Sequence, residues 1–72
     1  MQQYGNRQGH SGVLAYEIGH DSIAVKFANG HVYQYTYRSA GLASVEQMKV
    51  LARAGRGLST FISQHVRNAY ER

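Results

Sequence analysis

The chain contains no cysteine. That excludes disulfide staples and thiolate metal sites, and it leaves the redox compartment unreported. In a chain of 72 residues it also argues against a secreted domain held together by disulfides. No apolar run is long enough to cross a bilayer, and the first residues lack the apolar segment of a signal peptide, so the expectation is a cytoplasmic protein with no membrane association. Acids are scarce as well. Four Asp and Glu stand against eight Lys and Arg, a formal net charge of +4, and six of the eight cations are arginine. Such a field attracts polyanions, and the planar arginine fork suits phosphates and base faces better than a lysine ammonium does.

The length allows one domain. A chain this small buries roughly 60% of its unfolded surface, so most of its large apolar side chains are needed for the core. Each of the six tyrosines is therefore first a core candidate. The opening stretch, MQQYGNRQGHSG, is polar and without period, and residues 1–12 are expected to form a disordered arm, with a single domain over 13–72.

From Val13 the pattern has period two. VLAYEI alternates Leu14, Tyr16 and Ile18 against Val13, Ala15 and Glu17; after a turn at GHDS, SIAVKF alternates Ile23, Val25 and Phe27 against Ser22, Ala24 and Lys26. Asn29-Gly30 is a strong hairpin signal, and HVYQYTYR follows, with Tyr33, Tyr35 and Tyr37 at every second position. A two-residue Asn29-Gly30 turn would set Val25 against Gln34 and mix apolar with polar stripes. A three-residue loop, Ala28-Asn29-Gly30 with Gly30 left-handed in a bulge, sets Phe27 against His31, Val25 against Tyr33 and Ile23 against Tyr35. It yields one continuous apolar face, and the tyrosines are on it.

After Arg38 the period becomes helical. Ser44 and Gln47 read as a capping box, Val45, Met48, Leu51 and Ala52 as a buried stripe, and Gly55 as a stop. Ser39 is a second plausible cap, for a short turn upstream. A second helix is expected from Ser59, with Leu58, Phe61, Ile62, His65, Val66, Ala69 and Tyr70 on its apolar face and Arg67 on its solvent face. The fold expected is α+β: a three-stranded antiparallel β-meander packed on one face by two α-helices.

SIAVKFANGHVYQY followed by GLSTFISQHVRNAYER resembles the KTSC domain, a short bacterial module found alone and at the C-terminus of some lysyl-tRNA synthetases. The resemblance covers roughly Val13 to Arg72. It rests on the Tyr33-x-Tyr35 pair after a hairpin and on a closing run with Phe61-Ile62, His65-Val66-Arg67 and Tyr70. The family often has asparagine at the place of Ser63 and proline at the place of Ala69, and the stretch from Ser44 to Gly57 aligns loosely. The resemblance implies an RNA-binding role and supplies no catalytic residue.

On chemistry alone, Tyr33 and Tyr35 read as core rings with hydroxyls at a rim, in preference to a base-stacking platform. For Tyr37, where the strand ends, the two readings are balanced. Gly55-Arg56-Gly57 before Ser59, with Arg53 nearby, suggests an anion held on helix amides, although a tight helix-helix turn capped by Ser59 is the preferred reading. His10, His20, His31 and His65 include no i, i+4 pair, so no metal site is expected, and His65 reads as a core histidine. No Ser-His-acid order suggests a triad. The function expected is a non-catalytic binding module without cofactor, small-molecule substrate or metal. Its RNA or other polyanion ligand would be met by Arg53, Arg56, Gly57, Ser59 and Arg67, with Tyr37 adding limited stacking. The alternative is a protein-interaction module or small inhibitor docking on an acidic protein.

Overall fold

The hairpin around Asn29-Gly30 closes as the register argument requires. In the computed structural model, which describes residues 1–5 and 12–71, Gly30 has φ +88°. Its amide donates to the Phe27 carbonyl and the Phe27 amide donates to that of His31, both at 2.9 Å. Val25 stands opposite Tyr33 and Ile23 opposite Tyr35. The strands are β1 (Gln2–Gln3), β2 (Val13–Ile18), β3 (Ser22–Phe27) and β4 (Val32–Thr36), an antiparallel sheet in the order β1-β2-β3-β4. The architecture is a small α+β domain.

The sheet has one strand more than expected. Gln2 pairs with Tyr16 and Gln3 with Ala15, and Tyr4, next in line, is 3% exposed. The first residues are thus tied down by burial of one aromatic ring, which a polar window average does not register. The rest of the expected arm, residues 6–11, lies outside the described residues. A second departure is at Leu14. Val13 faces Phe27 but Ala15 faces Lys26, so the strand carries a bulge with Leu14 as the additional residue. The bulge shifts the alternation, turning Val13 into the core at 1% exposure and Leu14 outward at 47%.

Thr36 caps the first helical turn: its hydroxyl accepts the Ser39 amide hydrogen at 3.0 Å, and the Thr36 amide donates to Ser39 Oγ at 3.0 Å. This reciprocal pair starts α1 (Tyr37–Ala40), and Gly41 hands over to α2 (Leu42–Ala54). Ser44, expected to cap, is inside α2 because the helix begins two residues earlier. The stripe of Val45, Met48 and Ala52 is buried as the period demands, and Lys49 is buried beside it. Gly55, left-handed at φ 76°, closes α2.

The last helix differs most from expectation. It opens at Gly57 (φ 82°) as α3 (Leu58–Phe61) with no side-chain cap, so Ser59 does not cap it. It continues as a π-helical turn over Ile62–Val66, in which the Arg67 amide reaches back five residues to the Ile62 carbonyl at 2.7 Å. The wide turn keeps Val66 buried while His65 is exposed. Arg67 then has φ +33° and ends the helix. Ala69 and Tyr70 are therefore not on a helical face. The tail folds back instead, and its Glu71 amide donates to the Gln34 carbonyl of β4 at 2.7 Å. That reversal sets the Tyr70 ring 4.5 Å from Tyr33 and 6.1 Å from Tyr35, aromatic packing that a straight helix would forgo. The core is formed by Tyr4, by Val13, Tyr16, Ile23, Val25 and Tyr35 from the sheet, by the α2 stripe, and by Leu58, Ile62 and Val66.

Candidate nucleic-acid interface

The three alternating tyrosines have three different environments. Tyr35 is a core residue at 1% exposure, and its hydroxyl donates to the Arg67 carbonyl at 3.4 Å. Burial, reinforced by Tyr70 and Tyr33, pushes its pKa up to about 12. Tyr33 is half-buried, its ring edge-on to Phe27 at 5.6 Å and its hydroxyl 3.1 Å from His31 Nδ1. Together Phe27, Tyr33 and Tyr70 border a groove of about 410 Å³ whose lining includes the buried Tyr35 and Ile62. Its lining includes Asn29, Asn68 and Arg67, and Arg67 is the one charged residue there among the described residues. Sequence reasoning placed Tyr33 and Tyr70 on separate elements and so missed this groove, which the break at Arg67 creates.

Arg67 is exposed, though as the helix terminator and not on a helical solvent face. Its Nε donates to the Ser63 carbonyl at 2.9 Å. Arg53 lies in the last turn of α2 and lines a different depression, of about 540 Å³, with Met1, Gln2, Tyr16, Glu17 and Ile18. The two depressions share no residue. The second one is lined by a carboxylate, Glu17, as well as by Arg53.

Arg56 is exposed between Gly55 and Gly57, and Ser59 is half-buried. Of the amides that an anion would meet in this turn, that of Leu58 donates to the Tyr4 hydroxyl at 3.3 Å and that of Arg56 to the Leu51 carbonyl at 3.4 Å. Two of the turn's amides are thus taken by the protein's own groups. His65, expected in the core, stacks instead on Phe61 at the surface, with ring centroids 4.6 Å apart at 29°.

Tyr37 belongs to a polar cluster that the sequence did not reveal. Its hydroxyl donates to Glu46 Oε2 at 2.5 Å. Lys49, 5% exposed, extends Nζ to the same oxygen at 2.8 Å and to the His20 carbonyl at 3.0 Å, passing 5.5 Å from the Tyr37 ring centroid. The hydrogen bond to Glu46 raises the Tyr37 pKa above its usual 10.0. The hydrogen bonds from Lys49 and then Tyr37 hold the Glu46 carboxyl below its usual 4.5. Every partner is satisfied, and the cluster clamps α2 to the turn between β2 and β3.

Among the described residues no group of three or more His, Cys, Asp or Glu side chains is arranged to hold a metal ion, and no helix is long and apolar enough to cross a membrane. The chain matches no family model, no curated protein and no solved structure.

Proposed function

We propose that this is a non-catalytic, KTSC-like binding module of the cytoplasm, whose ligand is RNA or a similar polyanion held by surface arginines. One observation carries the reading. Arg38, Arg53, Arg56 and Arg67 are all exposed, whereas the ion pair found among the described residues joins Lys49 to Glu46. None of these four arginines forms an ion pair among the described residues, and an external anion is what such a surface favours. Arg53 and Arg67 line separate depressions, so an RNA footprint here is a loose one of a few contacts with modest affinity. A scatter of cations, in place of one stripe along a groove, is the feature that favours the acidic-protein alternative.

Binding of a fluorescent single-stranded RNA, followed by anisotropy against salt, tests this. Each phosphate contact on a single strand contributes about −0.7 to the log–log slope, so two or three arginines give a slope between about −1.4 and −2. Absence of binding to RNA and DNA at low salt would retire the reading and favour the acidic-protein partner.

A further inference from the structure

We infer that the groove between the hairpin loop and the C-terminal tail is a site for one unpaired nucleotide, its base against Phe27, Tyr33 and Tyr70 and its phosphate on Arg67. The inference rests on the RNA-binding reading and adds where a base is held.

Four observations converge on this chemistry. The first is the gradient of burial. Tyr35 and Ile62 are buried, while Phe27, Tyr33 and Tyr70 remain partly open around them. A chain of this length has little aromatic surface to spare from its core, and here it leaves three rings beside one concavity. The second is charge. Among the described residues no carboxylate lines the groove, and the neighbouring Glu71 is engaged elsewhere, accepting from the Thr36 hydroxyl at 2.6 Å. An aromatic wall with one cation and no acid complements an aromatic anion, which is what a nucleotide is.

The third observation is the state of Arg67. Its Nε is anchored on the Ser63 carbonyl, which steadies the side chain and leaves the two terminal NH2 groups as a fork for phosphate oxygens. The fourth is size and polarity. A volume of about 410 Å³ lies in the range of small-ligand sites, roughly 300–1,000 Å³, which combine apolar walls with a few polar groups. Asn29 Oδ1 accepts the His31 amide hydrogen at 2.9 Å, so its NH2 group is left for a base edge, and Asn68 adds a second amide to the lining. The other depression, lined by both Glu17 and Arg53, lacks this charge pattern. The rings are inclined, by 44° between Tyr33 and Tyr70 and 62° between Phe27 and Tyr33. They form no parallel slot, so a base meets one face and the edges of the others, and preference among the four bases is slight.

The test compares the full chain bound to octauridylate with the chain bound to an abasic strand carrying the same number of phosphates. The base-bearing strand is expected to bind about tenfold tighter, and the ring resonances of Phe27, Tyr33 and Tyr70 to shift with it and not with the abasic strand. Ala28→Glu, at an exposed position of the groove lining, places a carboxylate there without touching the core, and should bring the ratio towards one; Tyr33→Leu should do the same. Equal binding of the two strands overturns the base site and leaves the RNA reading standing. No binding of either strand fails that reading, and the nucleotide site falls with it. Groove resonances that move with an acidic peptide and with neither strand also overturn the inference.

Discussion

The Tyr4 hydroxyl accepts the Leu58 amide hydrogen at 3.3 Å, across 54 residues of sequence. With Tyr4 only 3% exposed, this single side chain joins the first strand to the start of the last helix and takes the place of a serine cap.

Tyr4→Phe keeps the ring and leaves the amide unpaired, so it should cost about 1–2 kcal/mol. Tyr4→Ala also opens a cavity and should cost about 3–5 kcal/mol, a large share of the stability of a small domain. Urea melts distinguish the two. A chain lacking residues 1–5 that melts with its parent would show that the arm contributes nothing.

Gly30→Ala probes backbone conformation alone. The added Cβ would meet nothing within 4 Å, yet φ is +88°, so the cost should be about 1 kcal/mol, with Gly30→Asn costing less because asparagine tolerates the left-handed region. Cross-strand NOEs between Val25 and Tyr33 should persist in both variants. NOEs from Val25 to Gln34 would disprove the register.

Arg67 has φ +33° and ψ −98°, a conformation that costs a side-chain-bearing residue on the order of 1 kcal/mol or more. Arg67→Gly relieves that strain and keeps the carbonyl that Tyr35 uses. The variant should melt no lower than the parent, while its RNA salt slope loses about 0.7. A large drop in melting temperature would mean that the arginine side chain itself secures the tail.

Two groups set opposite ends of the pH profile. Glu46 has its carboxyl pKa lowered, first by Lys49 and then by Tyr37. Its contribution is therefore complete above the usual 4.5 and is lost as the pH falls through the lower folded value. Tyr35, raised to about 12 by burial, contributes fully below about 10 and loses that contribution as the pH climbs towards 12. Lys49→Met should return the Glu46 titration, read by carboxyl carbon NMR, towards its ordinary value.

Much of the fold was legible because local signals agreed. Asn29-Gly30 and the clash of stripes that a two-residue turn would cause were enough to place Tyr33 opposite Val25. Gly55 and the Val45, Met48, Ala52 spacing marked α2. What escaped was decided by single contacts at long range. Leu14 continues a perfect alternation, so nothing local announces the bulge. Arg67-Asn68 carries no glycine or proline, so the helix had no visible stop, and the groove built on that stop was hidden with it. Lys49 and Glu46 at i, i+3 look like a solvated pair until the His20 carbonyl arrives from the turn between β2 and β3. Tyr4 is one aromatic residue in a polar window, and only its partners explain it.

The bond from the Glu71 amide to the Gln34 carbonyl occupies the outer edge of β4. Open strand edges recruit strands from other molecules and lead to aggregation. On the opposite side the sheet ends in two residues, Gln2–Gln3, too short to template a neighbour. Loss of residues 69–72 would free the Gln34 carbonyl and uncover the Tyr33 ring together, turning a sealed border into an adhesive one. Light scattering should find the shortened chain self-associating at concentrations where the full chain does not, so the tail that completes the groove also keeps the molecules apart.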